Sequence, residues 1–195
     1  IQDRATHWLQ SYGCETKSAK DTAACFTKYL PPGVTPQHEY NDNSAEFNKA
    51  MTDMQFRHDT CTPHRPQTNG IAERAVRRVK EGTACALAQS GLNAMLWWRE
   101  AMMCFCLLFC ILDTQLNGKT PYEMRFGQKF DGPIIPLGAQ VEYKPTSKKD
   151  IDLLPKFGEK TLPGIFLGYP QDAGGKWTGD LFIAGFHQFE EAQHV

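Results

Sequence analysis

The chain has 195 residues, 41% of them apolar, and a formal net charge of -1. That suffices for one medium domain, or for a core of roughly 120 residues with a small appendage. It excludes a globally basic nucleic-acid coat, so any polyanion binding has to come from a local patch.

Seven cysteines without framework-like spacing suit a reducing, intracellular compartment better than secretion. The chain opens Ile-Gln-Asp, with no initiator Met or signal peptide, and is expected to be a segment of something longer.

Residues 5–12, short and aromatic-rich, predict a strand. Ala19, Ala23, Phe26 and Leu30 then recur at near-helical spacing until Pro31-Pro32-Gly33 stops them. A brief strand over His38–Asn41 ends at Asp42. The run "NSAEFNKAMTDM" predicts a short helix with Phe47, Met51 and Met54 on one side.

From Ile71 to Ser90, Ala72, Ala75, Val76, Val79, Ala86 and Leu87 form one apolar stripe, with Arg74, Arg77, Arg78 and Lys80 outside it. Gly91 ends this helix. Trp97 and Trp98 anchor the next, which Asn117-Gly118 is expected to terminate. The run "AMMCFCLLFCIL", residues 101–112, rises only about 18 Å as a helix and is preceded by Arg99 and Glu100. It reads as a buried core helix rather than a membrane span, with Cys104, Cys106 and Cys110 as small packing residues. In "TPYEMRFG", Thr120 as N-cap, Pro121 at the first helical position and Glu123 three on predict one further short helix.

Composition changes after "DGPIIPLG". "AQVEYKP", "PGIFLGYP" and "DLFIAGF" are short, β-branched or aromatic and bounded by Gly or Pro, which predicts a small β-barrel. Residues 1–130 and 131–195 are the expected domains, with residues 147–160 as a charged loop.

Asp42 at a strand end and Glu73 at a helix start are two acids able to converge on Mg²⁺, which takes one or two carboxylates and completes its octahedron with water and phosphate oxygens. Glu73, Arg77 and Lys80 stand at i, i+4 and i+7, so a metal ligand and two phosphate clamps share a helix face. The same spacing also describes an ordinary Glu–Arg pair on a solvated helix. His58, Cys61 and His64 form an H-x2-C-x2-H run, but no fourth ligand lies nearby to complete a zinc set.

"DNSAEF" (42–47) and "PHRPQTNGIAER" (63–74) together are far more specific than either acid. They resemble the catalytic core of retroviral and retrotransposon integrases, especially the Copia type. "TPYEMRFG" and "PGIFLGY" extend the resemblance to the linker and SH3-like β-domain that follow such cores.

The resemblance implies a ribonuclease H-like α/β fold, a mixed sheet with flanking helices, followed by an SH3-like β-barrel. It implies polynucleotidyl transfer: processing of DNA 3′ ends and strand transfer, assisted by Mg²⁺ or Mn²⁺ held by Asp42 and Glu73. His64, Gln67, Asn69, Arg74, Arg77 and Lys80 become the expected DNA contacts. Element ends and target DNA become the expected partners, with self-association into a homo-oligomer and a nuclear location.

Three departures qualify this. The family uses three acids, and the first is expected on a strand before Ile1, which leaves Asp3 a structural or surface residue. The stretch from Asp42 to Glu73 is shorter than the family's by more than a helical turn, which points to a trimmed helix near "AMTDMQFRH". Ser44 replaces the usual Gly and is expected to be strained if that position needs positive φ. Two other readings follow: a non-catalytic nucleic-acid-binding relic gripping DNA through the Arg74–Lys80 helix, and a protein-interaction module in residues 135–195.

Overall fold

A computed structural model describes residues 1–61, 70–115 and 117–188. Residues 1–10 fold back on themselves: the Asp3 N–H donates to Trp8 O at 2.9 Å and the Gln10 N–H to Ile1 O at 3.0 Å. The Asp3 carboxylate holds the turn, accepting from the Ala5 N–H at 3.0 Å and from the Thr6 hydroxyl at 2.5 Å. The strand expected over 5–12 is therefore reduced to a single antiparallel bridge, Gln2 with Leu9. Trp8 and Leu9 are buried, and the Leu9 N–H and C=O turn outward from the hairpin to the Cys110 sulfur.

Helix α1, Ala19–Tyr29, starts at Ser18, whose side chain accepts from the Asp21 N–H, and ends one residue before the Pro-Pro-Gly stop. Strand β1, Glu39–Asn41, runs into helix α2, Ala45–Asp53, and strand β2, His58–Thr60, returns parallel to β1. Phe26 of α1 packs against Ala50 and Met51 of α2, with Phe47 and Met54 at the margin.

Helix α3, Gly70–Ser90, and helix α4, Ala94–Leu112, pack side by side. Ala75 and Val79 face inward, and Ala86 and Leu87 extend that stripe. Val76 departs from it and is 52% exposed. Helix α4 is longer than the twelve-residue run and ends at Leu112, capped by Asp113, before Asn117-Gly118. By length and composition alone it is long and apolar enough to cross a bilayer. Here it is a core helix, burying Ala101, Cys104, Cys106, Leu107, Cys110 and Ile111, although Trp98 at its start is exposed. Burial pushes the thiols of Cys104 and Cys110 up to about 12 and that of Cys106 to about 11, so all three stay protonated.

Helix α5, Pro121–Phe126, has the full Thr120–Glu123 capping box, Pro121 in its first turn and a left-handed Gly127 at its end. Arg125 ties three parts of the chain together. Its guanidinium donates to Tyr29 O at 2.7 Å and Gly174 O at 3.1 Å and stacks 5.6 Å over the Trp8 ring.

Strands β3, Gln140–Tyr143, β4, Leu162–Gly168, and β5, Phe182–Gly185, form an antiparallel sheet in the order β3-β4-β5. The short helix α6, Lys148–Ile151, lies in the expected charged loop. One expectation is corrected here. The described strands comprise a parallel pair and this antiparallel triplet, so both orientations are present. Among the described residues no closed SH3-like barrel forms. A barrel buries one face of its sheet by curling onto itself, whereas here β4 packs on α4 and buries Phe166 in the core shared with Leu107 and Tyr122.

Gly138 is where this sheet meets α3. At φ +78 its N–H donates to Phe166 O at 2.8 Å, and an added Cβ would lie 2.4 Å from Ser90 Cβ and 3.0 Å from Ser90 Cα. Gly138→Ala is expected to cost roughly 2–4 kcal/mol, from left-handed strain plus overpacking. Gly127→Ala, equally left-handed but facing open space, is expected to cost only about 1 kcal/mol. Urea unfolding midpoints of the two variants measure the difference.

Candidate nucleic-acid interface

Asp42 follows β1 directly and is exposed. Its Oδ1 accepts from the Ser44 N–H at 3.3 Å, a short turn that carries the chain into α2. The left-handed residue in this turn is Asn43, at φ 64, a residue that tolerates the region. Ser44, at φ -72 and ψ 146, is extended, which overturns the expected strain there. It occupies the N-cap position without a side-chain cap bond, and its buried hydroxyl finds no partner.

Behind Asp42 lies a support that motif reading missed. Asn41 is buried; its Nδ2 donates to Glu39 Oε2 at 3.0 Å and its Oδ1 accepts from the Asn43 N–H at 2.7 Å. Burial raises the Glu39 carboxyl, against the opposing pull of the Asn41 hydrogen bond and of His58 and His38. The signal was the i, i+2 spacing of Glu39 and Asn41, which puts both side chains on one side of β1.

Glu73 lies in the first turn of α3, exposed, followed by Arg74, Arg77, Arg78 and Lys80, all exposed. Because Ala75 and Val79 are inward, the helix period turns Glu73, Arg77 and Lys80 to a common outer face. Arg74, Arg77 and Arg78 also line a shallow open groove with Glu81, Gly82, Cys85 and Phe105. Arg74 Nε donates to Gly70 O at 3.1 Å, and the Arg78 guanidinium stacks 4.7 Å over the Phe109 ring. The first contact holds Arg74 along α3 itself, and the second holds Arg78 against α4. Phe105, Phe109 and Glu81 were not singled out in the sequence, although Arg74, Arg78, Glu81 and Cys85 stand at i, i+4, i+7 and i+11.

His64, Gln67 and Asn69 lie outside the described residues. Among the described residues, no three His, Cys, Asp or Glu side chains cluster so as to hold a metal ion. Asp42 and Glu73 thus belong to no three-ligand set among the described residues.

The chain runs β1–α2–β2, with the two strands parallel, into the long helices α3 and α4, and this fold has counterparts among solved structures. The chain matches a simian T-cell lymphotropic virus intasome, solved with PP2A regulatory subunit B56 gamma, at a TM-score of 0.53 and 15% identity, over 94% of this chain and 68% of that one. It also matches the HTLV-2 integrase catalytic core domain in complex with magnesium, trimeric form, at 0.49 and 18% identity over 63% and 80% of the two chains. The catalytic core domain of BIV integrase matches at 0.43 and 22% identity, over 57% and 72%. At these identities the likeness is one of fold. No family model matches the sequence.

Two outcomes test the turn at Asp42. Asn43→Val should cost about 1–2 kcal/mol through its positive φ, and Asn43→Gly clearly less, by urea titration. Because burial raises the Glu39 carboxyl, its folded pKa exceeds the unfolded one, so protonated Glu39 favours folding and that contribution is lost as pH rises through the folded value. Glu39→Gln should therefore be the more stable form at neutral pH, with the gap closing as pH falls through the carboxylate range.

Proposed function

We propose that this chain is a non-catalytic nucleic-acid-binding module built on an integrase-core fold. It grips the phosphate backbone through Arg74, Arg77 and Lys80 of α3, and its natural partner is DNA. The observation that carries this reading is the row of exposed cations on α3 in a chain whose net charge is -1. Four cations within seven residues of one helix give the local density that a phosphate backbone requires.

The transferase reading would need divalent ions to activate the attacking oxygen and stabilise the leaving one. Asp42 and Glu73 are two exposed carboxylates on different elements, and the absence of a three-ligand cluster among the described residues weighs against it. On the binding reading Glu73 is a helix-start acid next to the arginines, favourable to the helix dipole and mildly unfavourable to phosphate. His64, Gln67 and Asn69, which precede α3 in the sequence, are proposed as additional contacts to the DNA backbone. An intracellular, nucleic-acid-associated place and self-association on DNA complete the proposal.

Fluorescence anisotropy with a labelled duplex tests it. Binding should weaken steeply with salt, with a log–log slope near -3 for three phosphate contacts at about 0.9 each. Arg77→Ala and Lys80→Ala should each reduce the slope by about 1, whereas Glu73→Gln should leave binding intact or slightly stronger. Salt-insensitive binding would remove the proposal. Mg²⁺-dependent strand transfer, abolished by Asp42→Asn and by Glu73→Gln, would replace it with the transferase.

A further inference from the structure

Away from the basic helix, the fold brings two thiols together. Cys14, exposed on the approach to α1, and Cys25, half-buried on that helix, lie eleven positions apart with their sulfurs 3.2 Å from each other. We propose that Cys14 and Cys25 are a redox-active dithiol that closes to an intramolecular disulfide by exchange with a small-molecule disulfide such as glutathione disulfide.

The intervening chain is already shaped for closure. Ser18 Oγ accepts from the Asp21 N–H at 3.1 Å, and the Asp21 carboxylate accepts from the Thr16 N–H at 3.2 Å and from the Thr16 hydroxyl. These bonds fold the segment between the two cysteines against the first turn of α1, so the sulfurs need to approach by only about 1 Å to reach bonding distance. The core thiols differ: Cys104, Cys106 and Cys110 are shut inside α4's packed face.

The two sulfurs have separate roles. Cys14 is open to solvent and is the attacking thiol. Cys25 is held protonated, its thiol pushed up to about 12 by burial first and then by Cys14 itself. The Cys14 thiolate attacks one sulfur of glutathione disulfide, breaking its S–S bond and releasing one glutathione, which takes up a proton. Cys25 then loses its proton, attacks the Cys14 sulfur and expels the second glutathione. Two protein thiols are oxidised by two electrons in all, and one glutathione disulfide is reduced to two thiols. The new bond closes a short ring that restricts the unfolded chain, and the thermal midpoint should rise by roughly 5–10 °C.

The test uses the full chain, equilibrated in glutathione buffers of graded potential, alkylated and digested with trypsin. Cleavage after Lys17 and Lys20 separates the two cysteines, so the bridge appears as two joined peptides lacking two hydrogens. A dominant Cys14–Cys25 linkage is expected, with a raised melting temperature that dithiothreitol reverses and that both Cys14→Ser and Cys25→Ser abolish. Persistent glutathione on Cys14 with Cys25 alkylated would overturn the proposal, as would dominant linkages to Cys61 or Cys85.

Discussion

Burial of one face of α4 is the constraint on which the rest of the fold depends. The N-terminal hairpin lays Trp8 and Leu9 on it, α3 contributes Ala75 and Val79, α5 contributes Tyr122, and β4 contributes Phe166. Cys110 shows why a thiol suits this face. Its sulfur accepts from the Leu9 N–H at 3.3 Å and donates to Leu9 O at 3.5 Å, partnering backbone groups that the isolated hairpin leaves without a strand ladder. A larger apolar side chain would fill the space but leave those groups unpaired. Because α4 serves as the second layer, the three-stranded sheet has no need to close into a barrel.

The same packing determines what faces outward. Once Ala75 and Val79 are turned to α4, the helix period commits Arg77 and Lys80 to the opposite side, and Phe109 beneath Arg78 holds a third cation close by. Asp42 depends on a different packing unit: α2, which follows its turn, is seated by Phe26, Ala50 and Met51 rather than by the face of α4. The two acids that resemble a catalytic pair are thus positioned by two separate clusters. A metal site would draw on both clusters, which α1 links through Phe26 in one and Tyr29 in the other, whereas the basic face needs only a single helix. This is why backbone binding needs less of the fold than transfer chemistry.

Much of the architecture was legible wherever a signal was local. The α5 boundaries follow from Thr120, Pro121 and Glu123, whose capping bonds join residues three apart, and α1 stops where Pro31 and Pro32 prevent its continuation. Asp42 was correctly expected at a strand end and Glu73 at a helix start. Residues 5–12 misled because aromatic content reports burial, and Trp8 is buried, without reporting whether a second strand is available to pair. Val76 misled because the apolar stripe was drawn wider than the strip of α3 that α4 covers.

By itself, the order of residues determined where helices α1 to α5 lie, the capping box of α5 and the cluster of cations on α3, since each depends on groups within a few positions of one another. Tertiary structure alone decided that the three C-terminal strands remain an open sheet on α4, that Asn43 rather than Ser44 takes the left-handed turn, and that Cys14 meets Cys25. Those outcomes turn on which surfaces compete for the same buried area and on side-chain directions in the packed chain, quantities that periodicity and spacing do not encode.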